Sequence, residues 1–520
     1  MTHARLSRRL PLAAAGLLLA LLSLAPRAAH AADVDLWYVV DLFGQRSGWS
    51  NTRVTTEGDR ITTSSDMELS IRRGETVIKV TIGSEWVETA AGEPVSLRWE
   101  QGLGGPPVVT TYEFGGEKWT RTIEAPGMPP QTSDVTPPAG DWLPPAAEGR
   151  LIEQRLAAGA KEIVTRSLDV SQGVRIVETK RRVLGEEKVE ALGRVVPGYR
   201  TMVTTDVLPG ETEELIDRSG TPIRSEVDLG GIVMRTVLAD RELALGDLDP
   251  PELMRKTFVT PDRPIPDPRR TRLATYILSV PDGELPDLPD TGWQRVERLS
   301  PSSARVVVNA IGEAAPAGDV DAKTYLARST MLDIQDPAVL ALLDRAGVEP
   351  DAPPAERAET LRAFVYGFID AKTLGVGFGS ASDVARSATG DCSEHAALLA
   401  ALLRASGIPS RVASGLIYAD SFAGSENIFG YHMWTQALLE IDGVRRWVDF
   451  DAVLPPGQAF DATHIAVAVS TLSDDEPDNA MVTLAPLLGR LEIRVESVGP
   501  PASRRAPLRT HQDREAEAVR

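Results

Sequence analysis

The spacing of apolar residues changes along this chain, and that change constrains the fold more than any other feature. In the first half, short β-favouring runs alternate with turn residues, and serines and threonines alternate with apolar side chains. These runs lie at 36–42, 60–71, 76–87 and 94–100. Period-two alternation is typical of antiparallel strands with one solvated face. We therefore predict an antiparallel β meander for the N-terminal region.

Helical spacing dominates the start of the second half. Residues 338–346, 355–371 and 392–406 carry apolar side chains at intervals of three and four. Strand-like segments then continue to residue 488. Helices and strands in separate runs are typical of an α+β fold. The predicted fold class is α+β, with an N-terminal antiparallel β-rich region ahead of the mixed domain.

The length of 520 residues requires more than one compact core. Proline-rich stretches at 126–145, interpreted as a loop, and at 261–270 mark interruptions, and one helix is predicted near 151–158. The predicted division is a signal peptide at 1–31, a β-rich N-terminal domain of open role at 32–265, a small β connecting module at 266–325, an α+β domain with the candidate site at 326–488, and a C-terminal strand and disordered tail at 489–520.

The first 31 residues have the pattern of a secretory signal peptide. Three arginines precede an apolar run at 10–25, and residues 29–31 (Ala-His-Ala) fit a small-x-small cleavage site. The run is short for a membrane span, which needs ~20 apolar residues. An uncleaved anchor is the alternative, and Arg8-Arg9 leaves twin-arginine export open. We predict a periplasmic or extracellular protein without a stable membrane span after cleavage.

The net charge of the chain argues against negatively charged partners. Loss of residues 1–31 lowers the formal net charge from −19 to −23, because that segment holds four arginines and no carboxylate. Such acidity disfavours nucleic acid and anionic membranes as partners. The sequence contains neither a calcium-binding loop nor zinc-ligand spacing, so no cofactor and no metal are predicted.

Cys392 is the only cysteine, so it cannot form an internal disulfide. Asp391 before it and Glu394 after it fit a capping box that starts a helix. A helix N-terminus favours the thiolate form of a cysteine, and its N–H groups can hold an oxyanion. The sequence therefore makes Cys392 a candidate nucleophile. The alternative is a small buried apolar side chain, the usual role of a cysteine outside disulfides.

A predicted hairpin supplies a base for this thiol. The dipeptide at 442–443 (Asp-Gly) is a two-residue turn signal between two β-favouring runs. Counting outward from the turn pairs Trp434 with Asp451. His432 shares their face because side chains repeat every second residue. It therefore lies diagonally across from Asp451, within reach of that carboxylate.

Asp449 shares this face but lies one pair further from His432, so Asp451 is preferred. A longer turn would shift the register and leave Asp449 as the alternative. Cys392, His432 and Asp451 then provide the nucleophile, the base and the orienting carboxylate of a catalytic triad.

Seven short motifs occur in order between residues 380 and 465. They are 380–384 (Ser-Ala-Ser-Asp-Val), 390–396 (Gly-Asp-Cys-Ser-Glu-His-Ala), 403–412 (Leu-Arg-Ala-Ser-Gly-Ile-Pro-Ser-Arg-Val), 415–418 (Gly-Leu-Ile-Tyr), 431–434 (Tyr-His-Met-Trp), 447–451 (Trp-Val-Asp-Phe-Asp) and 461–465 (Asp-Ala-Thr-His-Ile). Together they resemble the bacterial transglutaminase-like superfamily. The resemblance implies a papain-like fold and places the family's catalytic residues on Cys392, His432 and Asp451.

Gln436 departs from the family pattern, which usually has glutamate two positions beyond the tryptophan. The position lies outside the triad and bears on the surroundings of the substrate. His395 and His464 also occupy family-like positions, and we interpret both as structural or supporting residues.

The resemblance implies a cysteine-dependent enzyme that acts on amide bonds through a thioester. Water as acceptor gives a peptidase or amidase, and an amine gives protein-glutamine acyl transfer; the sequence does not choose between them. A protein or peptide is the expected substrate, with peptidoglycan as an alternative. The rival hypothesis is a catalytically idle protein that keeps this fold for binding or for envelope structure.

Overall fold

The computed structural model describes residues 33–499 except 75, 172, 207–210, 229–231, 282, 371–378, 475–483 and 485–486. The described chain forms two compact units. One is built from residues 33–256 together with 474, 484 and 487–489, and the other from 257–370, 379–473 and 490–499. The predicted signal peptide and the predicted tail beyond residue 499 lie outside the described residues. None of the described helices is both long and apolar enough to cross a membrane.

The first unit is a single antiparallel sheet, with fourteen strands among the residues described. Their spatial order runs from β8 down to β1 and then from β14 down to β9, so sequence neighbours pair and β1 joins β14. The predicted meander is confirmed. The strands are β1 (Val34–Leu42), β2 (Gln45–Glu57), β3 (Arg60–Arg73), β4 (Thr76–Thr89), β5 (Pro94–Leu103), β6 (Val108–Glu113), β7 (Trp119–Glu124), β8 (Gln131–Val135), β9 (Glu162–Asp169), β10 (Arg175–Ala191), β11 (Arg194–Thr205), β12 (Thr212–Asp217), β13 (Pro222–Asp228) and β14 (Val233–Ala239).

Two helices accompany this sheet, α1 (Pro145–Ala157) and α2 (Arg241–Ala244). The predicted helix near 151–158 is therefore present but starts earlier, at Pro145, the last residue of the proline-rich stretch. The prediction of a loop at 126–145 was wrong in part, because β8 lies within it. β2 was missed because its buried side chains include Ser50 and Thr52, which hide the usual alternation of apolar and polar residues.

The two ends of this sheet share one hydrophobic core. Leu168 of β9, at one edge, packs in the same cluster as aromatic and aliphatic side chains from β4 to β7, near the other edge: Trp86, Leu97, Tyr112 and Trp119. Burial of this apolar surface favours a curved sheet. In a flat sheet Leu168 could not reach the other side chains of the cluster, and their apolar surfaces would stay in water.

The second unit contains helices and two four-stranded antiparallel sheets. The elements are β15 (Leu273–Ser279), β16 (Gln294–Ser300), β17 (Ser303–Asn309), α3 (Pro337–Ala346), α4 (Pro354–Phe368), α5 (Ala381–Ser387), α6 (Cys392–Ala405), β18 (Ser410–Phe422), β19 (Ser425–Ile441), β20 (Val444–Phe450), β21 (His464–Ser470) and β22 (Glu492–Val498). One sheet has the order β16-β17-β15-β22 and the other β20-β19-β18-β21. The α+β class is confirmed, and the helix predicted at 355–371 ends at Phe368.

Strands from two predicted segments join in the first of these sheets. β15, β16 and β17 come from the stretch predicted as a connecting module, and β22 comes from the C-terminal segment. β22 pairs with β15 on the side opposite β17. The last described strand of the chain therefore completes a sheet that begins more than two hundred positions earlier in sequence.

Helix α6 is the centre of the second unit. Every side chain from Ser393 to Arg404 is buried. Arg404 ends this buried run, and its guanidinium donates to the carbonyl oxygens of Ser410 and Thr471 at 2.9 and 2.6 Å. Burial lowers the pKa of Arg404 to about 10. These bonds fix the C-terminal end of α6 against the sheet and thereby fix where its first residue lies.

Gly415 allows β18 and β21 to approach closely. A Cβ atom added at this position would lie 2.0 Å from the carbonyl oxygen of Ile465 on β21. The register of the two strands also shifts between Ser414 and Gly415. Any larger residue must therefore push the strands apart.

We expect Gly415→Ala to lower the free energy of unfolding by about 1–3 kcal/mol, because the added methyl group has no space. Gly367→Ala is the control: Gly367 is helical, and an added Cβ meets nothing within 4 Å. That control should raise stability by roughly 0.5–1 kcal/mol. Denaturant unfolding of both variants measures the difference, and a Gly415→Ala variant as stable as the parent chain would contradict the close approach.

Candidate active site

The helix start at Cys392 is built by a capping box. Asp391 is the N-cap residue of α6, and its Oδ1 accepts a hydrogen bond from the Ser393 N–H at 2.9 Å. In return, Glu394 Oε2 accepts from the Asp391 N–H at 2.8 Å. The predicted helix start is confirmed, and Cys392 is the first residue of α6. The N–H groups of a first helical turn favour a negative charge at this end.

Glu394 joins two loops to the start of α6. Its Oε1 accepts from the Gly379 N–H at 2.8 Å, while its Oε2 binds Asp391. At Gly390 an added Cβ would lie 2.2 Å from the Cβ of Glu394, so only glycine fits. Burial, together with the nearby Asp391 carboxylate, raises the pKa of Glu394 to about 7. The surroundings of Cys392 are therefore tightly packed around a buried carboxyl group.

Helix α6 packs against β19, the strand that carries His432. The contact is a hydrogen bond from Thr435 Oγ1 to the carbonyl oxygen of Ala396 at 2.9 Å, with both residues buried. Ala396 lies one helical turn after Cys392. His395 has a local contact in the same turn, since its Nδ1 lies 2.6 Å from the carbonyl oxygen of Asp391. The nucleophile candidate and the base candidate thus belong to two elements in direct contact.

The predicted hairpin between β19 and β20 is confirmed. Its two-residue turn is at 442–443, and Gln436 pairs with Asp449, as the count from the turn required. The residue at 442 has a φ of +52° and Gly443 a φ of +74°, which is the left-handed conformation that an Asp-Gly hairpin turn adopts.

The end of the hairpin differs from the prediction in one detail. The paired ladder stops at Thr435 and Phe450, so the predicted pair of Trp434 with Asp451 does not form. Asp451 instead opens the turn after β20, where its Oδ1 accepts from the Val453 N–H at 2.9 Å. The strand leaves the ladder at this point because the carboxylate binds backbone of the turn.

His432 and Asp451 are in direct contact. His432 Nε2 lies 2.9 Å from Asp451 Oδ2, and both residues are buried. Arg362 of α4 holds the backbone here by donating to the Asp451 carbonyl oxygen at 3.2 Å. Burial raises the pKa of Asp451, but His432 and His464 outweigh burial and hold the pKa well below its usual range. The ionised carboxylate therefore fixes the ring of His432 through Nε2.

Asp449 forms hydrogen bonds with residues other than His432. Its Oδ1 accepts from Trp434 Nε1 at 2.8 Å and from Gln436 Nε2 at 2.7 Å, and its Oδ2 accepts from the Trp293 N–H at 3.2 Å. Burial raises the pKa of Asp449, and these hydrogen bonds oppose the rise. The two carboxylates of the hairpin thus have different surroundings: Asp449 ties the hairpin to the segment before β16, and Asp451 holds His432.

Gln436 bridges a carboxylate and a guanidinium. Its Nε2 donates to Asp449, and its Oε1 accepts from Arg411 Nε at 2.9 Å and from Thr291 Oγ1 at 2.8 Å. Burial lowers the pKa of Arg411 to about 10, and its guanidinium lies 4.0 Å from the ring centroid of Trp447. An amide fits this position because it both donates and accepts, whereas an ionised glutamate would set its charge against Asp449.

His464, the first residue of β21, contacts the same oxygen of Asp451 as His432 does. Its Nε2 lies 3.2 Å from Asp451 Oδ2, and its Nδ1 lies 3.1 Å from the carbonyl oxygen of Asp461. Burial lowers the pKa of His464, but Asp461 and Asp451 outweigh burial and raise the pKa to about 9. Sequence reasoning placed His464 among supporting residues but had no signal for this contact.

Asp461 and Arg269 extend this set of charges. Arg269 Nη1 donates to Asp461 Oδ2 at 2.6 Å, and Arg269 Nη2 donates to the carbonyl oxygen of Tyr418. Burial raises the pKa of Asp461, but His464 and Arg269 outweigh burial and lower the pKa to about 2. Sequence reasoning missed both residues as part of the site. The motif at 461–465 was the one signal that could have pointed to Asp461.

His432, Asp451 and His464 each offer one possible ligand atom, and these atoms lie within 4.8 Å of one another. Two imidazoles and a carboxylate suit a transition-metal ion. Ligation would require neutral imidazoles, and the carboxylates beside His464 favour its protonated form, so an ion would have to displace a proton there.

Part of the chain matches a protein-family model. The model described as the transglutaminase-like superfamily matches residues 343–452. This range contains Cys392, His432 and Asp451, together with α4, α5, α6, β18, β19 and β20. Among curated proteins, none matches the chain at a significant level.

Three solved structures are similar to this chain at low sequence identity. The beta-barrel-like protein of domain of unknown function DUF1849 from Brucella abortus is 15% identical, with a TM-score of 0.32, over 40% of this chain and 95% of that one. A "putative cysteine protease" from Cytophaga hutchinsonii is 16% identical, with a TM-score of 0.27, over 43% and 81%. A "putative protease" from Parabacteroides distasonis is 10% identical, with a TM-score of 0.18, over 72% and 68%.

The family match covers six of the seven motifs, those from 380 to 451, and leaves out the motif at 461–465. It also covers the helix start and the hairpin, both of which form as predicted. The predicted resemblance and the predicted fold class are both confirmed. Residues 343–452, within the second unit, are similar to the transglutaminase-like superfamily.

Proposed function

We propose that this protein is a cysteine-dependent enzyme that acts on amide bonds through a thioester. The observation that carries the proposal is the buried contact of His432 Nε2 with Asp451 Oδ2 at 2.9 Å. It lies on a strand that packs against the helix begun by Cys392. A nucleophile at a helix start and a base oriented by a carboxylate are the parts that acyl transfer requires.

In the proposed mechanism the two nitrogens of His432 have different tasks. Because Nε2 binds Asp451, Nδ1 is the atom available to exchange a proton with Cys392. The Cys392 proton passes to His432, which leaves a thiolate beside an imidazolium. The N-terminal end of α6 stabilises the thiolate, and Asp451 stabilises the imidazolium.

The reaction then proceeds in two steps. The Sγ of Cys392 attacks the carbonyl carbon of an amide, and the negative charge moves to the carbonyl oxygen, near the N–H groups of the first turn of α6. As the C–N bond breaks, His432 gives its proton to the leaving amine, and a thioester remains. His432 next accepts a proton from the attacking water or amine, the C–S bond breaks, and the thiolate returns.

A protein or peptide is the proposed substrate, and export is the proposed location. The signal-like pattern at residues 1–31 supports export, and the strong negative charge argues against nucleic acid as a partner. Peptidoglycan offers amide bonds in the same compartment and is the alternative substrate. Water and an amine are both chemically competent acceptors for the thioester.

Cys392 should react with iodoacetamide at about pH 6 at least about tenfold faster than the same thiol in the unfolded chain, because a free thiol is almost fully protonated there. Since the chain has one cysteine, all the label reports on this site. His432→Ala should remove the acceleration. Mass spectrometry of quenched samples measures both rates. A folded chain that labels no faster than the unfolded one, with no effect of His432→Ala, would favour the catalytically idle binding role instead.

Asp451→Asn should lower turnover by about 10²- to 10⁴-fold, since an asparagine no longer stabilises the imidazolium of His432. Asp449→Asn is the matched control, because Asp449 is also buried and lies two positions before Asp451 but binds Trp434 and Gln436. It should cost stability and leave turnover within about tenfold of the parent chain.

The assay for both variants incubates the chain with a glutamine-containing peptide and a labelled amine, and Cys392→Ala sets the background. Incorporated label identifies transfer, and cleavage or ammonia without label identifies hydrolysis. Equal turnover in Asp451→Asn and the parent chain would refute the assigned role of Asp451.

A further inference from the structure

Each ring nitrogen of His464 faces a hydrogen-bond acceptor. Nε2 lies 3.2 Å from Asp451 Oδ2, and Nδ1 lies 3.1 Å from the carbonyl oxygen and 3.3 Å from Oδ1 of Asp461. A neutral imidazole has only one N–H, so one of these contacts would set a lone pair against an acceptor. The doubly protonated ring donates to both sides. The geometry therefore fits an imidazolium at His464.

The charges around His464 balance its cation. Asp451 and Asp461 face the ring directly, and Asp449 is a further carboxylate whose charge acts on it. Arg269 compensates Asp461 at 2.6 Å. The result is a row of charged groups that alternate in sign from the partly exposed Arg269 through the buried Asp461 and His464 to Asp451, which contacts His432. Burial of charges is tolerated when each has a partner of opposite sign.

Aromatic side chains hold the plane of the His464 ring. Phe460 stacks on it with centroids 4.1 Å apart and an interplanar angle of 29°. Trp434 meets it edge-on with centroids 5.4 Å apart. The ring is therefore fixed in the orientation that points Nε2 at Asp451.

We propose that His464 is a positioning residue of the active site, whose cationic ring binds Oδ2 of Asp451 and limits the negative charge that this carboxylate presents to His432. This inference rests on the proposed function, because it assigns a role toward His432 as the base. The two histidine rings have centroids 5.7 Å apart, so the cation on one disfavours a second cation on the other.

The consequence concerns proton release. A histidine that faced an uncompensated buried carboxylate would hold its proton too tightly to serve as a general acid near neutral pH. With His464 sharing the same carboxylate oxygen, Asp451 still orients the ring of His432 but binds its proton less strongly. With His464 in place, Asp451 can orient the ring of His432 without strongly raising the affinity of that ring for its proton.

His464→Gln tests this role, since glutamine can still donate to Asp451 but carries no charge. The readout is a histidine-selective NMR titration of the full chain in a Cys392→Ala background, where His432 titrates without the thiolate. We expect His464 to be doubly protonated at about pH 7.5 in the parent background. We expect the midpoint of His432 to move upward in His464→Gln by on the order of one pH unit.

Two further variants distinguish a loss of the His464 charge from a folding defect as the cause of a shifted His432 midpoint. Asp461→Asn should weaken proton binding by His464 and move the His432 midpoint in the same direction. Asp336→Asn is the control, because Asp336 is a buried carboxylate of this unit that pairs with Arg386 at 2.7 Å, outside the row. It should lower stability and leave the midpoint unchanged. A neutral His464 at about pH 7.5, or an unmoved midpoint in folded His464→Gln and Asp461→Asn, would overturn the proposal.

Stability gives a second readout with a defined sign. The folded pKa of His464, about 9, lies above the ordinary value of 6.5. Its contribution is therefore fully present below about pH 6.5 and is lost as the pH rises through the folded pKa. The parent chain should lose stability over this interval, and His464→Gln should lack that loss. Equal pH dependence of the two melting temperatures would contradict the assigned charge.

Activity measurements separate this inference from the proposed function. In an active enzyme, His464→Gln should lower kcat/KM for the glutamine peptide by about 10- to 100-fold, the size of effect that loss of an outer hydrogen-bond partner has at metal sites. The alkaline limit of its pH profile should shift upward, which a purely structural role would not produce. Slow labelling of Cys392 in the parent chain would refute the proposed enzyme, whereas rapid labelling with an unshifted His464→Gln profile would refute only the role of His464.

Discussion

The carboxylate of Asp451 is buried, and its charge must be compensated inside the protein because water does not reach it. Two imidazoles bind its Oδ2 and the Val453 N–H binds its Oδ1. Arg362 fixes the backbone carbonyl of the same residue. These partners come from β19, β21, α4 and the turn after β20, so three elements and one turn of the domain meet at one charged group. The contacts that pack these elements together therefore also orient the ring of His432.

Local sequence patterns were sufficient to predict that His432 lies near Asp451 and that a helix starts at Cys392. The Asp-Gly turn fixed the register of the hairpin, and the register brought His432 near Asp451. The capping box fixed the first residue of α6. Both signals work because hydrogen-bond geometry over a few residues decides them. The count failed only at the last pair, where the side chain of Asp451 binds the following turn and ends the strand.

The remaining partners could not be predicted in this way, because they arrive through pairings of distant strands. His464 reaches Asp451 because β21 pairs with β18, and Arg269 reaches Asp461 from a segment that lies before β15. Neither contact has a local pattern. Strand β2 of the first unit was missed for a related reason. Its buried face carries hydroxyl groups, and their burial becomes apparent only when the neighbouring strands are in place.

An alternating row of charges explains why such polar groups can occupy the interior together. Each of Arg269, Asp461, His464 and Asp451 is tolerated because the next group has the opposite sign, and removing one leaves its neighbour uncompensated. The row therefore links a segment before β15 to His432 on β19. A domain with only part of this row in place would hold an unpaired buried charge, so the site forms only when all of these elements are assembled.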